Sequence, residues 1–204
     1  MVTFAGAMAR LVAAEVDVDY LLSARHLHVS SLFLQRGLQP GCAEVFRRVK
    51  AQGLTTSLDP GWDPAEMWDA GIEQLYGLLD ILFVNRREAM ALGKDPDWRR
   101  ASGRLGTRVP LLVVKGGPDG ASVVRGKIWQ DHPGFRVEVV DPTGAGDAFN
   151  AGFLFAYLAG WTLPICARWG NACGAMTAAR PGGSGAFSSR ADVEAFIARA
   201  EVGD

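Results

Sequence analysis

The sequence predicts an open α/β fold, a mostly parallel sheet with helices on both faces. Three observations carry that expectation. Short apolar runs alternate with longer stretches of helical periodicity. One run, Leu111 to Val114, is continuously apolar, as a parallel strand buried on both faces requires. After Gly144 the pattern is helical to the end of the chain. The 204 residues suffice for one domain with a sizeable core and are too few for two ordinary ones, so 1–204 reads as a single domain.

Taken in order, the strand-like runs are "HLHVSS" (26–31), "LTTSLD" (54–59), "DILFVN" (80–85), "VPLLVVKGG" (109–117), "ASVVR" (121–125) and "KIWQD" (127–131). Gly126-Lys127 between the last two marks a hairpin, hence one antiparallel piece. Helical spacing is expected over 41–53, where Ala43, Val45, Phe46 and Val49 recur, and over 63–79. Further helices are expected over 145–159, 164–179 and 190–200, the first nearly apolar all round and therefore buried. "RPGGSGAFSS" (180–189) is a Gly/Ser-rich loop between the last two.

Composition excludes several functions. Hydrophobic residues make up 49% of a chain whose net charge is −1, and no Lys/Arg run forms a basic stripe, so neither nucleic acid nor an anionic membrane is an expected partner. No apolar run reaches the roughly 18 residues of a spanning helix. Cys42, Cys166 and Cys173 lack CxxC spacing and suit free buried thiols in a reducing cytoplasm. His26 and His28 share a strand face, but two histidines without a third ligand read as strand residues. The six tryptophans are dispersed, and core packing is expected for most of them.

The stretch with the strongest chemistry is "DPTGAGDAFNAGF" (141–153). Gly144, Ala145 and Gly146 precede a helix whose first N–H groups have no intrahelical acceptor and carry partial positive charge; nothing larger than a methyl shields them. That is an anion hole suited to a phosphate in transfer. Asp147 follows in the first turn. An isolated Asp there reads as a helix cap; behind Gly-Ala-Gly it reads as a base that takes a proton from a substrate hydroxyl. Asp59, Asn85 and the Gly116-Gly117 pair also end strands, where open α/β sheets bind ligands. For Asp59 an ordinary Asp-Pro-Gly turn stands beside a role at the reaction centre, and both remain open. A Walker loop is excluded because Ala121 and Ile128 stand where it needs Gly and Ser or Thr. "GAGDAF" lacks the third glycine of a dinucleotide fingerprint.

The 141–153 stretch resembles the C-terminal signature of the ribokinase/PfkB family of carbohydrate kinases. Segments "LHVSSLFL" (27–34), "TTSLDPGWDP" (55–64), "LFVNRREAMAL" (82–92), "LVVKGGPDGA" (112–121) and "NACGAMTAARPGG" (171–183) resemble that family in the right order. The resemblance implies a ribokinase-like three-layer α/β/α sandwich with a mostly parallel central sheet. It also implies transfer of a phosphoryl group from ATP, with magnesium, to a sugar or nucleoside in the cytoplasm. Asp147 would be the catalytic base, and Gly144, Ala145 and Gly146 the anion hole. Asn85 and Glu88 would order magnesium and its waters, although Glu88 alone reads as an ordinary first-turn carboxylate. Gly117 and Gly120 would border the nucleotide, and Asn171 would lie near the adenine. Lys115, where many members have Thr, either approaches a phosphate or snorkels to solvent. Asp141 and Thr143, with the loop from Arg180 to Gly185, resemble a monovalent-cation site for potassium. A homodimer is left open. The family's lid and its early sugar-gripping residues have no counterpart in this sequence. The chain is therefore expected to be N-terminally truncated relative to the family, and by itself a poor kinase. A non-catalytic, nucleotide-binding remnant is the alternative.

Overall fold

The computed structural model describes residues 6–183 and 189–202. The chain falls into two compact units, Met1–Val114 with Val124–Ile128, and Lys115–Val123 with Trp129–Asp204. Six strands, β1 (His26–Ser30), β2 (Thr55–Asp59), β3 (Ile81–Asn85), β4 (Leu111–Lys115), β5 (Ala121–Arg125) and β6 (Ile128–His132), form one sheet in sequence order. β1 pairs parallel with β2, and β2 with β3, with Ser30 opposite Asp59. Only Gly126 and Lys127 separate β5 from β6, a connection that antiparallel neighbours alone permit. All six strands fall within a residue or two of the expected runs.

The helices are α1 (Val18–Leu21), α2 (Gln39–Ala51), α3 (Ile72–Leu75), α4 (Arg86–Gly93), α5 (Trp98–Gly106), α6 (Ala145–Leu158), α7 (Leu163–Ala178) and α8 (Arg190–Val202). In the first unit, α2 starts with Pro40 in its opening turn and buries Cys42, Val45, Phe46 and Val49. Cys42, rather than Ala43, completes that apolar face. The strand residues Ile81 to Val84 are almost fully buried, as a central parallel strand should be.

The expected helix over 63–79 forms only from Ile72. The Asp63 carboxylate accepts the N–H groups of Ala65, Met67 and Trp68 at 2.9, 2.9 and 2.7 Å, giving that backbone an alternative to a helix. Glu66, Trp68 and Ala70 then adopt left-handed φ of 54°, 56° and 44°, which no right-handed helix accommodates. By contrast, α5 was not expected. Asp97 caps it by accepting Arg100 N–H at 2.8 Å, and Gly93 lets α4 approach closely, since a Cβ there would lie 2.6 Å from the Ala101 carbonyl oxygen.

In the second unit α6 and α7 pack through small residues. A Cβ at Gly152 would lie 2.6 Å from Cys173 Sγ, and one at Gly170 would lie 2.9 Å from the Phe149 ring. Cys166 and Cys173 are buried on α7, as expected, and burial pushes both thiols up to about 11. The expectation that α6 is buried all round needs correction. It packs on one side, and Ala151 and Phe155 face outward, with Phe155 43% exposed against Trp161 and Trp169.

Core packing also fails for most of the tryptophans. Trp169 alone of the six is buried. The others are held by edge contacts, cations and a hydrogen bond: Trp62 against Trp68, Trp98 with Arg86 and Arg99, Trp161 beside Arg190, and Trp129 donating to Asp131 Oδ1.

Candidate active site

In the second unit the turn before α6 is tied down from both ends. Asp141 accepts the N–H of Thr143 at 2.9 Å with one carboxylate oxygen and that of Gly182 at 3.1 Å with the other. Hydrogen bonds from Thr143, then from Gly182, hold the Asp141 carboxyl below the usual carboxylate range. Gly144 caps the helix with φ +74°, and a Cβ on it would lie 2.6 Å from the Gly183 carbonyl oxygen. Only glycine fits there, for conformation and for space. No side chain caps the turn. The first helical bond runs from Ala148 N–H to Gly144 O at 2.9 Å. Ala145 N–H is engaged with Pro142 O at 3.2 Å, so of the expected anion hole it is Gly146 that opens onto the helix end.

Lys115 ends β4, and its side chain turns over this helix end. Its Nζ lies 3.4 Å from Asn150 Oδ1, and 3.4 Å from where a Cβ on Gly146 would stand. An ammonium and a helix N-terminus thus converge at one place, one reinforcing the other for an anion. Asp147, exposed, stands in the same first turn. Asn150 was not singled out from sequence. Its signal is an amide within the apolar run that follows Asp147, 1% exposed, a position that demands a polar partner.

Beside this turn lies a cavity of about 480 Å³. Lys115 and Gly146 stand at its polar end, and Phe135, Val137 and Val139, alternating along the chain, give it an apolar wall. Gly117, Gly120 and Asn171 also border it. Gly120 has φ +90° and ψ −136°, and a Cβ there would lie 2.0 Å from the His132 carbonyl oxygen. The Asn171 amide donates to the carbonyls of His132 and Pro133 at 3.3 and 3.0 Å, holding that segment against Gly120. Asn171 therefore shapes the cavity with its N–H groups rather than offering them to a ligand. An adenine nucleotide suits such a site, with an apolar slot for its base and a cationic helix end for its phosphates.

In the first unit Asn85 and Glu88 form a reciprocal cap on α4. Asn85 Oδ1 accepts Glu88 N–H at 2.9 Å, and Glu88 Oε2 accepts Asn85 N–H at 2.8 Å. Asp59, buried at the end of β2, accepts Gly61 N–H at 3.1 Å, which makes the Asp-Pro-Gly turn real. His26 bonds Thr55 Oγ1 and Ser57 Oγ at 2.8 and 2.7 Å, and His28 bonds the same Ser57 Oγ at 2.7 Å. Both histidines are therefore strand-pairing residues on one face. Among the described residues no group of three or more His, Cys, Asp or Glu is placed to hold a metal, and no helix is long and apolar enough to cross a membrane. Of the loop expected to complete a cation site, Arg180 to Gly183 is described; Ser184 and Gly185 lie outside the described residues.

The family model described as pfkB family carbohydrate kinase matches residues 1–190. The chain belongs to this family. The ATP-dependent ribose-1-phosphate kinase of Halopiger xanaduensis is 36% identical to this pfkB-family chain over 183 residues, 90% of this chain and 58% of that protein. The nucleoside kinase of Methanothermobacter thermautotrophicus is 34% identical over 164 residues, 78% of this chain and 49% of that one. A crystal structure from E. coli described as a ribokinase II in complex with ATP and Mg²⁺ superposes with a TM-score of 0.83 at 29% identity, covering 93% of this chain and 63% of that one. The fold is the ribokinase-like α/β fold. This pfkB-family chain spans about half to three-fifths of the length of these relatives.

Proposed function

We propose that this chain transfers the terminal phosphoryl group of ATP to a hydroxyl of a sugar or nucleoside. The observation that carries the reading is the first turn of α6, where the Gly146 backbone and Lys115 Nζ converge beside Asp147 and the cavity. The acceptor oxygen attacks the terminal phosphorus, the bond from phosphorus to the ADP oxygen breaks, and Asp147 takes the hydroxyl proton. Charge spread over the phosphoryl oxygens is met by the N–H of Gly146 and by Lys115, while Gly144 sets the turn that aims them. Gly117, Gly120 and Asn171 shape the nucleotide slot.

Magnesium, when bound with ATP, would neutralise charge on the phosphate oxygens. Asn85 and Glu88 are the residues that would order its waters. A potassium ion near Asp141 and Thr143 would be held chiefly by backbone carbonyls, because both Asp141 oxygens already accept N–H bonds. Free thiols pushed up by burial suit a cytoplasmic protein. We read 1–204 as one nucleotide-binding and catalytic domain. The relatives carry kinase names, and nothing in them supports a non-catalytic remnant.

The test is the chain assayed with ATP and magnesium against ribose, fructose, 2-keto-3-deoxygluconate and adenosine, with Asp147→Asn alongside. The substitution should lower kcat by roughly 10²–10⁴ while leaving nucleotide affinity little changed. A variant retaining half the turnover would remove Asp147 from the role of base.

A further inference from the structure

The first turn of α6 is backed by a buried polar group that has no part in the reaction above. Asn150 is 1% exposed, and between Asp147 and Tyr157 it is the one polar side chain of the helix. Phe149, Phe153 and Leu154 on the same helix are buried and apolar. An amide in such company costs free energy unless its polar atoms are bonded.

The Asn150 Oδ1 accepts from Lys115 Nζ at 3.4 Å, and helix geometry sets that meeting. Gly146 and Asn150 are four residues apart and so share one face of α6. Side chains on a helix tilt towards its N-terminus, which carries the Asn150 amide over the turn that holds Gly146. Lys115 Nζ lies in the same corner, 3.4 Å from where a Cβ on Gly146 would stand. A lysine has more rotamer freedom to lose than most residues. An ammonium already held over the helix end loses less of it when an anion arrives. The acceptor is also neutral. An amide oxygen fixes the ammonium without cancelling its charge, whereas a carboxylate in its place would pair with it and leave less for a phosphate.

We propose that Asn150 is a positioning residue, which holds the Lys115 ammonium at the N-terminus of α6, with its charge intact, for the phosphates of the donor nucleotide. The proposal rests on the phosphoryl-transfer reading. Asn150 touches no substrate and acts through Lys115. Its neutrality matters as much as its oxygen, so an isosteric carboxylate is a worse replacement than an apolar side chain.

Calorimetric titration of the full chain with magnesium and a non-hydrolysable ATP analogue tests it without requiring turnover. Asn150→Leu, similar in shape but without an acceptor, should weaken the analogue about 2–10-fold. Asn150→Asp should weaken it about 5–30-fold, as much as removing the lysine charge, and should flatten the fall of affinity with salt. Asn150→Ser keeps a neutral acceptor and should retain most of the affinity, which keeps the test open if the leucine variant folds poorly. In a Lys115→Met background, Asn150→Leu should change affinity by less than about twofold, because the group it acts through is gone. Unaltered affinity in both the Leu and Asp variants overturns the proposal. So does an equal loss with and without Lys115, since Asn150 would then only pack α6. Transfer from ATP that is indifferent to Asn150 would sink the positioning role and leave the kinase. Coupling of Asn150 to Lys115 in analogue binding, without transfer to any acceptor, would sink the kinase and leave the positioning role.

Discussion

Glu88 does two jobs if the proposed function holds, and two substitutions separate them. Its carboxylate is 5% exposed and accepts Asn85 N–H at 2.8 Å, so it closes the N-terminus of α4 whatever else it does. Glu88→Ala removes that charge-assisted bond and strands the Asn85 N–H, a loss of about 1.5–3 kcal/mol. At roughly 2–4 °C per kcal/mol for a chain of this size, the melting temperature should fall by about 3–12 °C. Glu88→Gln keeps an oxygen for Asn85 and forfeits only the charge at a helix N-terminus, about 0.3–1 kcal/mol. Its melting temperature should therefore fall by no more than about 4 °C.

Magnesium responds in the other order. If Glu88 orders the ion's waters, the Gln variant should need roughly 10–100-fold more magnesium for half-maximal rate, with KM for the acceptor little changed. Scanning calorimetry gives the first quantity, and initial rates against magnesium at fixed ATP give the second. A Gln variant with wild-type magnesium dependence would show Glu88 to be a helix cap and nothing more. A Gln variant as unstable as the Ala variant would refute the energetic reasoning itself.

Two further outcomes follow from named groups. If ATP phosphate binds at the Gly146 N–H, Lys115→Met removes a half-buried charge that would lie about 4 Å from it; after solvent screening this is roughly 1–2 kcal/mol, or about 5–30-fold in ATP affinity, shrinking as salt rises. Unchanged affinity for ATP at low salt would return Lys115 to a structural role with Asn150. Burial, and then the neighbouring His28, lower His26 to about 4 against an opposing pull from Asp80, itself paired with Lys50 at 2.8 Å. Between pH 6.5 and about 4 the unfolded chain then binds a proton that the folded one refuses, so stability falls as pH drops through that window, by up to about 3 kcal/mol, and is flat above it. Urea midpoints at pH 7, 5 and 4 read this directly, and a His26→Gln variant with the same slope would exclude His26 as its source.

The strands were legible because burial on both faces writes itself as an unbroken apolar run, Leu111 to Val114 most plainly. The stretch 63–71 was misread because apolar spacing was weighed without Asp63. One buried carboxylate that collects three N–H groups outbids the helix, and nothing in periodicity reports it. Helix α5 was missed for the opposite reason: Ser102, Gly103 and Gly106 lower its helical signal, while tight packing of Gly93 on Ala101 restores the helix in three dimensions. At the site, Gly-Ala-Gly-Asp was legible as composition. That Lys115 turns over this helix end, and that Asn171 spends its amide on two carbonyls, depends on which segments fold together and is written in no local pattern.

Glycines suggested an anion site from sequence, yet the structure shows that they are not equal witnesses to one. Gly144 is required by its φ and by the Gly183 backbone against it, and Gly120 by its φ and by the backbone of His132 to Gly134. Both would have to be glycine in a protein that bound nothing. Ala145 is small, but its N–H is already given to Pro142. Gly146 differs: it stands in the first turn of the helix with no left-handed φ, and the nearest atom to its missing side chain is the Lys115 ammonium nitrogen, at the end of a flexible chain. Neither its backbone conformation nor a neighbouring backbone requires glycine at Gly146, whereas a phosphate held between its N–H and Lys115 would. The case for phosphate chemistry in this chain therefore stands on Gly146 and Lys115, with Asp147 one residue on, and not on the glycine-rich motif as a whole.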